Sequence, residues 1–194
     1  MMRLAKNLER LGTESAFSIL AEAKKLEAQG KEMIHLGLGQ PDFKSPKHVV
    51  EAAKKAIDDG HHGYVLANGI LECREAVSRK IKNLYNKDIS PERVMIMPGG
   101  KPTMYFAISM IGEPGSEIIH PTPGFPIYES MINYTGAKAV PYDLTEDKDL
   151  QFDPEKILSL ITEKTRLLVL INPNNPTGSF VEKSKIDFLA EGLK

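Results

Sequence analysis

The chain has 194 residues, 41% hydrophobic and 26% charged, and its 25 basic residues nearly cancel its 26 acidic ones. These values fit an ordinary globular chain and give no sign of the concentrated positive face that grips nucleic-acid backbones. The single cysteine, Cys73, rules out an intrachain disulfide and a Cys/His metal cluster, and no run approaches the roughly 20 apolar residues of a membrane-spanning helix.

The first residues, Met1-Met2-Arg3-Leu4-Ala5-Lys6, lack the apolar core of a signal peptide, so a cytoplasmic location is expected. Residues 14–29 read as a helix, with Phe17, Leu20 and Ala23 at helical spacing and Gly30 as its stop. A short strand over 33–36 leads into Gly37-Leu38-Gly39-Gln40-Pro41-Asp42-Phe43. Ser45 then reads as the N-cap and Pro46 as the first position of a second helix that ends at Gly60. Ile70, Cys73, Val77, Ile81 and Leu84 form one stripe of a third helix over 70–85, which makes Cys73 a core residue rather than a nucleophile. The adjacent His61 and His62 read as loop residues.

A regular alternation follows. Strands are predicted over 93–97, 117–120, 138–142 and 165–171, and helices over 102–111, 125–134, from Asp153-Pro154-Glu155 onward, and over 182–192. Strand starts about 20–28 residues apart have the spacing of right-handed βαβ crossovers. The expected fold class is α/β, a mostly parallel sheet flanked by helices and preceded by a short helical arm over residues 1–40. The run ending at Ile171 reads as a strand buried on both faces, and Met104, Phe106, Ile108 and Met110 read as helix core. With no closing strand after Lys194, 41–194 are expected to be an incomplete domain.

Parallel sheets bind ligands beyond the carboxyl ends of their strands. Three predicted loops lie there. Met97-Pro98-Gly99-Gly100-Lys101-Pro102-Thr103 joins a strand to a helix, and its glycines and helix start suit a phosphate. Pro121-Thr122-Pro123-Gly124-Phe125 offers an aromatic face, although a Pro-stiffened core aromatic explains it as well. Asn172-Pro173-Asn174-Asn175-Pro176-Thr177-Gly178 offers an amide in a stiff turn. A cradle, a face and an amide together suit a flat heterocycle bearing a phosphate.

On these segments the sequence resembles the fold-type-I pyridoxal-phosphate enzymes of the class I/II aminotransferase family. Supporting elements are Gly37 to Phe43, and Tyr64 with Gly69 and Arg74. The resemblance runs nearly the full chain but covers only the first half of a family member. It implies that pyridoxal 5'-phosphate is held by Asn175 on the ring 3-oxygen, by backbone N–H groups of the Gly99, Gly100 and Lys101 loop on the phosphate, and by Phe125 stacked on the ring. It further implies that Gly39 lies beside the substrate carboxylate and that Tyr64 reaches the phosphate of a neighbouring subunit in a homodimer. The segment Lys101-Pro102-Thr103-Met104 departs from the commoner family pattern.

The resemblance places the Schiff-base lysine, the pyridine-binding aspartate and the carboxylate-binding arginine beyond Lys194, so no catalytic residue is expected in this chain and Lys101 is not given that role. The expectation is the N-terminal portion of an aminotransferase acting on α-amino acids and 2-oxo acids, catalytically incompetent alone. Other fold-type-I reactions, such as β-elimination or decarboxylation, and a non-catalytic dimerising or phosphate-binding module remain open. A dehydrogenase would need a dinucleotide fingerprint, and none is present.

Overall fold

A strand at the middle of a parallel sheet must be apolar on both faces, and residues 117–122 come closest to that. In the computed structural model, which describes residues 3–12 and 15–194, β1 (Glu117–Thr122) is the central strand of a three-stranded parallel sheet. Its neighbours are β2 (Lys138–Asp143) and β3 (Thr165–Leu168), in the order β2-β1-β3. The described residues also form α1 (Ser15–Ala28), α2 (Lys47–Asp58), α3 (Leu71–Tyr85), α4 (Gly100–Ile111), α5 (Ile127–Thr135), α6 (Pro154–Ser159) and α7 (Lys183–Gly192). The α/β architecture with a parallel sheet flanked by helices is thus as expected.

Successive strand residues face opposite sides, and β1 uses this fully. Ile118 and Ile119 are both completely buried, each in a different core. Ile118 packs with Ile108 of α4, with Met131 and Ile132 of α5, and with Ala137. Ile119 packs with Tyr142, Phe152, Ile157 of α6, Val181 and Leu189 of α7. At the amino end of the sheet the buried Glu117 accepts from Thr162 Oγ1 at 2.7 Å and Lys138 Nζ at 3.0 Å. These donors hold its carboxyl below the usual range, the Thr162 hydrogen bond first.

The chain contacts define two compact units, one made by the described residues before Ala16 together with Lys101–Lys194, the other by Ala16–Gly100. The sheet and both cores belong to the first. In the second, Ala23 and Arg74 are the buried residues among those described. Arg74 organises it: Nε donates to Gly69 O at 3.1 Å, and Nη1 to Pro91 O at 3.0 Å and to Glu92 at 3.4 Å. Gly69 has φ +97°, and an added Cβ would lie 2.7 Å from Ile96 Cγ1, so only glycine fits there.

Several local expectations change. Residues 33–36 and 93–97 form no ladder; Pro91–Arg93 is a 3₁₀ turn, and Ile96 N donates singly to Asn68 O. Both segments are apolar, but no strand among the described residues lies beside them. α2 starts at Lys47, and Ser45 does not cap it. α1 starts at Ser15, and the expected start at Glu14 lies outside the described residues. β3 is only half-buried, because it is an edge strand; its ladder stops at Leu168, although Val169 N still donates to Ile119 O at 2.8 Å. Of the α4 core expected, only Ile108 is buried, while Phe106 and Met110 are exposed. Asp153 does cap α6, accepting from Glu155 N and Lys156 N.

Candidate functional site

The order β2-β1-β3 has a consequence for where a ligand can sit. The chain leaves β1 for α5 on the Ile118 face and leaves β3 for α7 on the Ile119 face. Adjacent strands whose connections diverge to opposite faces open a crevice at their carboxyl ends. The loops that flank this crevice are 121–126 after β1 and 169–182 after β3. They carry Phe125 and Asn175.

The loop after β1 turns sharply. Gly124 folds back so closely over Pro121 that a Cβ would meet the Pro121 carbonyl oxygen at 2.4 Å. That carbonyl lies beyond the β1–β3 ladder and accepts from the buried His120 Nδ1 at 3.2 Å. Burial lowers the His120 pKa, and the nearby Glu129 carboxylate opposes the shift. Phe125 emerges half-buried, edge-on to Tyr128 with centroids 6.3 Å apart. Lys101 Nζ lies 5.6 Å from the Phe125 centroid, within cation–π range.

The loop after β3 has three asparagines with two different duties. Asn172 and Asn174 close the loop upon itself. Asn172 Nδ2 donates to Val181 O at 3.2 Å, and Val181 N donates back to Asn172 Oδ1 at 3.0 Å. Asn174 is buried; Nδ2 donates to Thr177 Oγ1 at 2.9 Å and to Pro123 O at 3.5 Å, which joins the two loops. Asn175 is exposed, and its amide makes no hydrogen bond among the described residues. Below the crevice, Tyr142 donates its hydroxyl to Val169 O at 3.1 Å, and burial raises its pKa.

The third expected loop is placed differently. Residues 94–97 are not a sheet strand, so the Gly-Gly-Lys segment enters α4 from extended, unladdered chain. Gly99 has φ +90°, Gly100 opens the helix and Lys101 is its second residue. The N–H groups of a first helical turn have no intrahelical acceptor, and Pro102 contributes none. The donors at this end are therefore the backbone of Gly100 and Lys101. Gly39 and Tyr64 belong to the second unit. An added Cβ at Gly39 would meet nothing within 4 Å, and Tyr64 is fully exposed.

Of the residues expected from the sequence, Lys101 and Phe125 are brought together, and Asn175 lies on the loop after β3. Sequence reasoning missed the division of labour among the asparagines and the role of His120 at Pro121. The alternation of Asn172 and Asn174 ahead of Thr177 and Ser179 was the available signal, since short polar side chains are those that close loops onto backbone. The side chains of the sheet unit fit a phosphorylated pyridine: a planar face at Phe125 with the Lys101 ammonium 5.6 Å from its centroid, and an amide at Asn175 with no hydrogen bond among the described residues.

A doubly wound α/β unit with divergent loops at its switch point is what the fold and site define. The profile of the family described as aminotransferase class I and II matches residues 31–194. The chain belongs to that family. It is 32% identical to an aspartate aminotransferase of Bacillus subtilis over 98% of this chain and 48% of the relative. It is 34% identical to a (5-formylfuran-3-yl)methyl phosphate transaminase of Methanocaldococcus jannaschii over 98% and 49%. Among solved structures, the aspartate aminotransferase from Thermus thermophilus with maleate superimposes with a TM-score of 0.93 at 31% identity, covering 99% of this chain and 50% of that one. The chain thus spans about half the length of the relatives it matches. No helix among the described residues is long and apolar enough to cross a membrane.

Proposed function

We propose that this chain is the N-terminal portion of a pyridoxal-phosphate-dependent aminotransferase, a cytoplasmic homodimer that moves an amino group between an α-amino acid and a 2-oxo acid. In this reading residues 41–194 are part of the cofactor-binding large domain and 1–40 an arm. The observation that carries it is the Asn175 amide, exposed and without a hydrogen bond among the described residues, on a loop whose other two asparagines bond within the fold.

Asn175 Nδ2 donates to the ring 3-oxygen. Phe125 presents its face to the ring, because offset aromatic contact is favourable. The backbone of Gly100 and Lys101, with Gly99 turning the chain into the helix, takes the phosphate, for which a helix start is suited by its dipole. Gly39 leaves room for the substrate carboxylate, and Tyr64 serves the phosphate of the partner subunit. The cofactor, when bound, supplies the electron sink, and the protein supplies orientation. No residue here takes the role of the covalent lysine, so the isolated chain holds the cofactor without turnover.

Calorimetric titration of the chain with pyridoxal phosphate tests this. Saturable binding is expected, with Asn175→Ala weakening it about tenfold, the magnitude of one hydrogen bond to a charged acceptor. Unsaturable binding, or an Asn175→Ala variant that binds equally well, would overturn it.

A further inference from the structure

The segment ahead of α1 packs on α5. Lys6–Arg10 forms a 3₁₀ turn, and Arg10 at its end reaches the last carbonyls of α5. Its Nε donates to Asn133 O at 2.8 Å and its Nη2 to Tyr134 O at 2.8 Å. Asn133 O also accepts from the C-cap Gly136 N at 3.1 Å, so Arg10 adds a second donor there and one at Tyr134 O, and a cation at this end meets the negative end of the dipole. One turn nearer the start of α5, Gly12 N donates to Ser130 Oγ at 2.9 Å, and that hydroxyl is 3.3 Å from Gly12 O. The strap therefore grips the helix at two heights, across more than 110 residues of sequence. A cleft of about 390 Å³ runs alongside, lined by Arg10, Gly12, Lys101, Pro126 and Glu129 among others.

α5 has only nine residues. A helix that short does not hold itself, so its position depends on what packs against it. One side is held by the Ile118 core through Met131 and Ile132. The strap supplies a second hold. The helix begins two residues after Phe125, and Tyr128 in its first turn meets that ring edge-on. Any tilt of α5 is therefore passed to Phe125.

The geometry points to Arg10 and Ser130 as positioning residues that brace α5 and so hold the aromatic face of the site. The inference rests on the reading of Phe125 as the surface that stacks on the cofactor ring. Neither residue touches the ring. The phosphate is assigned to a different element, the start of α4, so the two halves of the cofactor should respond differently when the brace is removed.

Three probes separate these halves: pyridoxal phosphate, pyridoxine and inorganic phosphate, each titrated into the unaltered chain and its variants. Arg10→Ala should weaken pyridoxal phosphate and pyridoxine about fivefold or more, with inorganic phosphate changed less than about twofold. Ser130→Ala alters no charge and should move the same two ligands in the same direction by less. Arg10→Lys, able to reach one carbonyl at a time, should fall between Arg10→Ala and the unaltered chain. Equal weakening of all three probes would mark a loss of charge or of folding and overturn the assignment. So would unchanged affinities in both alanine variants of a chain that binds pyridoxal phosphate. An unaltered chain that binds no pyridoxal phosphate would overturn the cofactor reading and this inference together.

Discussion

The two units are stabilised in different ways. The unit built on the sheet has fully buried Ile118 and Ile119 back to back on one strand, with a core on each side. The unit formed by Ala16–Gly100 leaves Ile34, Leu36, Phe43, Val65 and Leu66 largely exposed, and its most buried side chain is an arginine. One is held by apolar burial, which is non-directional and adds up with area. The other is held by a few directional bonds, which fail singly. The loops that carry Phe125 and Asn175 belong to the sheet unit.

Three experiments test that contrast. The largest effect is expected for Ile119→Ala, which opens a cavity beside Phe152 and Leu189 and should cost about 2–5 kcal/mol in urea unfolding. The matching truncation in the other unit, Leu36→Ala, should stay within about 0.5 kcal/mol, because that side chain is already 90% exposed. Similar costs for the two would erase the contrast.

Arg74→Ala comes next. It strands the carbonyls of Gly69 and Pro91 and should cost about 1–3 kcal/mol. Hydrogen exchange followed by mass spectrometry should show faster exchange confined to peptides of Ala16–Gly100. Loss of protection in β1 as well would show that the units unfold as one.

The smallest effect is a pH dependence seated in the sheet unit. Burial lowers the His120 pKa from its ordinary 6.5. Hydrogen bonds lower Glu117, chiefly from Thr162, and Asp153, chiefly from Lys148. A depressed folded pKa means that the unfolded chain binds the proton more readily. Each contribution is thus complete above the unfolded pKa and lost as pH falls through the folded one. The urea midpoint should be constant from pH 8 to 7, begin to fall near 6.5 and fall further below 4.5. A midpoint that rises on acidification would contradict the assignment.

The contrast also explains what could be read from residues alone. The run 117–120 was legible because burial and strand pairing coincide there; of 165–171 only 165–168 pairs, and it is half-buried. Residues 33–36 and 93–97 carry the same apolar signal, yet Ile34 and Met95 remain exposed and unladdered. An apolar run reports a need for burial and is silent about whether a partner strand is present. In the site, Phe125 and Asn175 were legible as residue types suited to a ring. Which asparagine is free and which ones close the loop depends on Val181, Thr177 and Pro123, set by the folded turn. Arg10 carried no local signal, because its acceptors are main-chain carbonyls 123 and 124 residues away.

With β1 in the middle, β2 and β3 each keep one flank with no strand beside it among the described residues. Such flanks are templates on which any extended backbone can add itself. A solution of this chain should therefore be adhesive in proportion to its concentration, whatever its catalytic competence, and short extended peptides should slow its clumping by occupying the bare rows.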